Sequence, residues 1–265
     1  MTTDERDYRE KNQWRRWVWN RIAERLTHPA YQSTAIYLAG VSNLDRPEAI
    51  RRGFQTKHLI AVDANPNKVT AIRARGELCI CGDILDIAFN YGCRVDALHL
   101  DFCCGLELGV LQKIGMAMAH PDMRACVFSL NFLRGRDPSS AALRESIAGN
   151  GRCPDVLSKH RGYLALHALT AVTFLDVFRG ASAAFKGYAE TLINDAANAE
   201  AYSYRSSTHQ TFDTVVFTNP LGAFLDSDDY GHELRAVLRT VYGSRKIRSR
   251  IAAHKANATR RSALQ

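Results

Sequence analysis

Apolar positions in this chain alternate between two patterns. Short unbroken apolar runs read as strands, and the segments between them carry apolar residues at helical spacing. "STAIYLAG" predicts a first strand and "DRPEAIRRG" a short helix, with Asp45 as its N-cap and Gly53 as its C-terminal stop. "HLIAVD" predicts a second strand, and "NPNKVTAIRARG" a second helix closed by Gly76. "ELCICGD", "VDALHLDF" and "RACVFSLNF" predict three further strands, with "LELGVLQKIGMAMAH" as the helix before the last of them. Residues 139–148 and 155–180 are expected to be helical. Alternation with short links implies right-handed βαβ units and a parallel sheet flanked by helices.

Both ends depart from this rhythm. Residues 1–12 are polar and are expected to fray, and residues 13–27 place Trp14, Trp17, Val18, Ile22 and Leu26 at helical spacing. That stripe fits packing against the body of the fold, with Arg15, Arg16 and Arg21 largely off it. Interleaved Trp and Arg also suit stacking on bases, but large aromatics are more often packed. Near the other end, "AEAYSYRSS" and "FDTVVFTN" are strand-like runs joined by "THQT", a hairpin signal that requires antiparallel pairing. The expected fold is thus α/β, a Rossmann-like, mostly parallel sheet flanked by helices with an antiparallel C-terminal hairpin. The expected organisation is an amphipathic helix over 1–30, one sheet domain over 31–225 and a basic helical tail over 226–265.

Charge changes this picture at one place. The net charge is +8, yet from Tyr242 onward there is no acid, and Arg245, Lys246, Arg248, Arg250, Lys255, Arg260 and Arg261 leave about +1 for everything before them. Such a tail suits sequence-independent contact with DNA or RNA phosphates, or serves as a solvated helix that aids solubility. The longest apolar region, "YLALHALTAVTFLDVF", is interrupted by His167 and Asp176 and is too short and polar to span a bilayer. "MTTDERDYREKNQWRR" holds no apolar signal region, so a cytoplasmic location with the seven cysteines as thiols is expected.

The candidate chemistry lies where the strands end. Open α/β sheets bind ligands beyond the carboxyl ends of their strands. The first strand delivers Gly40, Ser42 and Asn43, the second Asp63, the third Asp83 and the fourth Asp101. A buried carboxylate needs partners, so each acid either faces a crevice or caps the next helix. Asp63 stands 23 positions after Gly40, which suits a carboxylate accepting the two hydroxyls of a ribose. Asp83 stands where an adenine amino group would donate. As helix caps, both acids have an equally good local explanation.

In this order "YLAG", "AVDANP", "CGDI", "LHLDF" and "YSYRSS…VVFTN" resemble the Rossmann-like class I methyltransferases that use S-adenosylmethionine. The resemblance covers roughly residues 33–220. It implies a cofactor held by Gly40, Ser42, Asn43, Asp63, Ala64, Asp83 and Ile84. It also implies an acceptor facing Asp101 and Phe102, with Asn131, Arg134 and Arg136 on the same rim. One departure is plain: the family's first loop is usually glycine-rich and follows an acid, whereas "IYLAGVSNLDRPEA" has one glycine preceded by Ala39.

The residues after the fourth strand leave the acceptor open. "DFCC" keeps the acid and aromatic of members that methylate exocyclic amines but lacks their prolines. Cys104 resembles the nucleophile of members that methylate pyrimidine carbon, again without the accompanying proline, and a small buried cysteine is the common alternative. Cys79, Cys81, Cys103 and Cys104 lack the spacing of a structural zinc site, so no metal is expected. The expectation is a methyltransferase acting on a nucleic acid, with a catalytically inactive nucleic-acid-binding or scaffolding protein as the alternative. A nicotinamide dehydrogenase fits less well, because the glycine pattern and the hairpin both argue against it.

Overall fold

A computed structural model of the chain describes residues 3–40, 42–102, 108–118, 120–133, 199–206, 209–220 and 222. The expected helices at 139–148 and 155–180, the basic tail, and Cys103, Cys104, Arg134 and Arg136 lie outside the described residues.

Seven strands form one sheet: β1 Ala35–Leu38, β2 Leu59–Asp63, β3 Cys79–Cys81, β4 Ala97–Asp101, β5 Val127–Leu133, β6 Glu200–Arg205 and β7 Thr211–Thr218. Their order is β3-β2-β1-β4-β5-β7-β6. The first five strands run parallel, and β7 runs antiparallel to both β5 and β6. This is the Rossmann-like arrangement the alternating pattern implies, with the hairpin filling the far edge. The hairpin loop closes by Ser206 N–H donating to the Gln210 carbonyl at 2.8 Å, and His209 supplies the left-handed residue at φ 61°. The chain builds outward from β1 in one direction through β2 and β3, then returns to β4 on the other side. The strand order therefore reverses between β1 and β4, the point beyond whose carboxyl ends open α/β sheets bind ligands.

The helices are α1 Thr3–Arg25, α2 Asp45–Arg51, α3 Pro66–Arg73, α4 Ile84–Phe89 and α5 Leu108–Met118. α1 begins well before the expected start, so residues 3–12 are helical rather than frayed. It lies across one face of the sheet, where Trp14, Val18, Trp19 and Ile22 are fully buried. Trp19, which the apolar stripe did not include, packs edge-on against Tyr37 and Phe54 and donates to Asp45 at 3.0 Å. Its flanks are tied by charge. Arg21 and Arg25 meet Glu200 of β6 at 2.9 and 2.7 Å. Arg16 reaches Glu48 of α2 at 3.6 Å.

Arg15 departs from expectation. It is buried, with its Nε 3.5 Å from an Asp45 oxygen. Asp45 is correspondingly not the cap of α2. Leu44 holds that position without a side-chain bond, and Asp45 is the first helical residue, turned into the core. There Asp45 also stands 3.5 Å from His99 Nε2, and His99 Nδ1 lies 3.1 Å from Ser129 Oγ. Burial alone would raise the Asp45 carboxyl, but His99, Arg15 and Trp19 together hold it below the usual carboxylate range. The row Ser129–His99–Asp45 is buried beneath Trp14 and Trp19, with only Asp45 slightly exposed, so its work is to fasten α1 and α2 to β4 and β5.

Candidate functional site

The carboxyl edge of the sheet has two halves, built from different strands. The first lies over β1, β2 and β3. After β1, the Ala39 N–H donates to the Val62 carbonyl at 2.9 Å, and the chain then turns, with Asn43 N–H donating to the Gly40 carbonyl at 2.8 Å. Gly40 and Ser42 are exposed. Gly40 is not among the residues with positive φ, and a Cβ added there would meet nothing within 4 Å. Neither its backbone conformation nor the packing of the described residues requires glycine at this position. Asn43 differs from its neighbours in the loop. It adopts φ 43°, is 2% exposed, and its amide donates to Glu77. Its side chain therefore fixes the loop from below.

Asp63 closes β2 with its side chain 14% exposed. One oxygen accepts the Asn65 N–H at 2.8 Å, and the other lies 3.7 Å from Lys68 Nζ. The cap of α3 is Asn65, which accepts from Asn67 N–H, with Pro66 at the first helical position. The capping alternative for Asp63 thus falls to its neighbour two residues on. Ala64 is exposed beside it. Asp83 is a cap: one oxygen accepts the Leu85 N–H at 2.8 Å, and the other accepts from Lys113 Nζ of α5 at 2.6 Å. Partial burial raises its carboxyl, but Lys113 and the Leu85 N–H outweigh that and hold it below the usual range. Ile84, the first residue of α4, is buried beneath the cap. Both carboxylates retain lone pairs that these contacts leave unused.

The second half lies over β4 and β5. Asp101 ends β4 and pairs with Asn131 of β5 in register. The Asn131 amide nitrogen donates to an Asp101 oxygen at 2.6 Å. The orientation of that amide is fixed from behind. Its oxygen accepts from Thr214 Oγ1 of β7 at 2.7 Å, and Thr214 in turn accepts from the Trp14 indole N–H at 2.7 Å. Tyr204 of β6 adds its hydroxyl at 3.3 Å from the Asn131 nitrogen, and its ring lies 5.1 Å from that of Trp14. Lys11 of α1 meets the other Asp101 oxygen at 3.4 Å. Phe102 continues the chain with its N–H donating to the Asn131 carbonyl at 3.0 Å.

Sequence reasoning placed Asp101, Phe102 and Asn131 together, and they are neighbours. It passed over Lys11, Lys113, Tyr204 and Thr214. Lys11 left a signal, since it precedes Trp14 by three and so lies on the same helical stripe. Tyr204 and Thr214 left none, because only the pairing of the hairpin with β5 brings them to Asn131. Among the described residues no group of three or more His, Cys, Asp or Glu is arranged to hold a metal ion. Cys81 and Cys93 are exposed thiols, Cys79 and Cys126 buried ones. Among the described residues no helix is long and apolar enough to cross a membrane.

No family model and no curated protein matches the chain. Solved structures do resemble it. One is the plantazolicin methyltransferase BamL in complex with a triazolic desmethylPZN analog and SAH, at 11% identity and a TM-score of 0.42, over 82% of this chain and 88% of that one. Another is cofactor-bound Rv0187 from MTB, at 10% identity and a TM-score of 0.40, over 78% of this chain and 80% of that one. A third is the O-methyltransferase TomG from Streptomyces achromogenes in complex with SAM, at 10% identity and a TM-score of 0.39, over 78% of this chain and 79% of that one.

Proposed function

We propose that this chain is a methyltransferase that binds S-adenosylmethionine over the ends of β1, β2 and β3 and receives its acceptor at the end of β4. The observation that carries this reading is the juxtaposition at one edge of the sheet. Gly40 offers bare backbone, and two carboxylates follow on the next two strands, each with lone pairs to spare. In this reading Gly40 and Ser42 lie along the cofactor, Asp63 accepts from its ribose and Asp83 from its adenine amine, while Ala64 offers close approach. Asn43 and Ile84 act from beneath, by shaping the loop and seating the helix. When bound, S-adenosylmethionine supplies an electrophilic methyl group on a sulfonium. The chain's own task is then largely positioning, an effect that reaches about 7–11 kcal/mol in well-oriented reactions.

Gly40→Leu gives a direct test. The position needs no positive φ and has open space, so the fold should persist with stability changed by no more than about 0.5 kcal/mol. Calorimetric binding of S-adenosylmethionine should be lost, and Asp63→Ala should lose it as well. Unchanged binding in both variants overturns the cofactor site.

The finer reading, that the acceptor is DNA or RNA, draws on charge alone: a net +8 concentrated in the last 24 residues. Filter binding of the full chain should then weaken steeply with salt, and replacing Arg245, Lys246, Arg248 and Arg250 by Ala should flatten that slope. A second reading, a fold that binds nucleic acid without turnover, draws on the lysines already seated on Asp63 and Asp83. Thermal shift separates the two. Cofactor at about 100 times its dissociation constant should stabilise the enzyme by about 2.7 kcal/mol and leave the binding protein unmoved.

A further inference from the structure

The end of β4 holds a charge pair from two distant parts of the chain. Asp101 is 13% exposed at its side chain, and Lys11, which meets it, is 30% exposed. The two oxygens of Asp101 are not equivalent. One is held by Asn131, whose amide is oriented by Thr214 and Trp14. The other faces Lys11 and is the one left to meet an acceptor.

We infer that Lys11 and Asp101 select an acceptor that presents a hydroxyl, of phenolic acidity or a polarised alcohol, rather than an amine. The inference rests on the proposed methyltransferase reading, not on its nucleic-acid refinement, and names the acceptor class for that same site. The chemistry is one of charge balance. As the methyl group transfers, a hydroxyl acceptor loses its proton: the O–H bond breaks, the proton passes to the Lys11-facing oxygen of Asp101, and the electron pair on the acceptor oxygen forms the bond to the methyl carbon as the sulfonium sulfur leaves with its own pair. The negative charge then lies beside the Lys11 ammonium, which stabilises it in this partly desolvated site. An amine acceptor develops positive charge instead, and the same ammonium opposes it. Asp101 alone would serve either acceptor, so the lysine decides between them. Asn131, Thr214 and Trp14 are positioning residues here, since they act only through Asp101. Lys11 stays within the pair because Trp14, one turn on, anchors α1 and offers its ring face to the ammonium at 5.8 Å.

The test uses a chromophoric acceptor on the full-length chain. 4-Nitrophenol changes colour on losing its proton, and 4-nitroaniline is its matched amine. Each is titrated with and without S-adenosylhomocysteine, at a pH below the ionisation of free nitrophenol. Wild type should bind nitrophenol with the phenolate band and bind nitroaniline about tenfold more weakly. Lys11→Gln should lose about tenfold in nitrophenol affinity along with the band, and Lys11→Arg should restore both. Circular dichroism of each variant reports its folding. Equal binding of phenol and aniline, absence of nitrophenol binding, or a phenolate band that survives Lys11→Gln overturns the inference. Calorimetry with S-adenosylmethionine reports separately on the cofactor reading. A chain that ionises nitrophenol but binds no cofactor would sink that reading and leave the Lys11–Asp101 selectivity standing.

Discussion

The two halves of the sheet's carboxyl edge satisfy their carboxylates by different means. Over β2 and β3, Asp63 and Asp83 are served by groups close in sequence, the N–H groups of Asn65 and Leu85, and by lysines at the surface. Over β4, Asp101 is served by a relay that needs β5, β7 and α1 in place at once. In the first arrangement each acid has a backbone donor two residues on and a lysine about two-fifths exposed, though Asp63 itself, at 14%, is as covered as Asp101 at 13%. The second is buried and long-range, with 200 residues between Trp14 and Thr214. A low-dielectric setting strengthens each bond of such a relay and makes each missing partner costly. The half over β2 and β3 should therefore tolerate change, and the half over β4 should not.

Trp14→Ala tests this most severely. It removes a fully buried indole that touches His99, Tyr204 and Thr214, at a cost of about 3–5 kcal/mol. Denaturant unfolding measures the loss. Amide exchange should quicken at Asn131, Tyr204 and Thr214 while the ends of β2 and β3 keep their protection. Equal loss of protection in both halves would break the comparison.

Asp45→Asn comes next, at about 1.5–3 kcal/mol for a lost charged contact with His99 and Arg15. It also carries a pH signature. The Asp45 carboxyl lies below its usual range when folded, so the folded chain binds fewer protons than the unfolded one as acid is added. Its contribution is present above about pH 4 and is lost as pH falls through the folded value. Urea midpoints measured down that acid limb should fall steeply in wild type and less so in Asp45→Asn. A parallel fall in both would place the acid sensitivity elsewhere.

The same contrast explains what was legible in the sequence. "HLIAVD" and "VDALHLDF" announce themselves because a strand buried on both faces is largely apolar, with His99 the buried exception in β4, and each run reaches an acid at the sheet's carboxyl edge. Asp83 reads as a cap because capping is a matter of three consecutive residues. Asp45 was misread for that very reason. Its place before a helix suggested a cap, and nothing local disclosed that His99, Arg15 and Trp19 would draw it inward. Tyr204 and Thr214 belong to the same class, since the partners that define them are brought close only by the finished fold.

Lys113→Ala should have the smallest effect. The pair it breaks is roughly two-fifths exposed on both sides, and exposed pairs contribute at most about 1 kcal/mol. α4 keeps its cap, because the Leu85 N–H still donates to the other Asp83 oxygen. The expected loss is below about 0.5 kcal/mol in dilute buffer and vanishes in molar salt, where screening acts within about 3 Å. The Asp83 carboxyl should rise toward its ordinary value, as Lys113 is the strongest of the groups that lower it. An NMR titration of the Asp83 carboxyl carbon reads that rise. If Lys113→Ala instead destabilised the chain as much as Asp45→Asn, the half over β2 and β3 would be no more local than the half over β4. The tolerance attributed to it would then be lost.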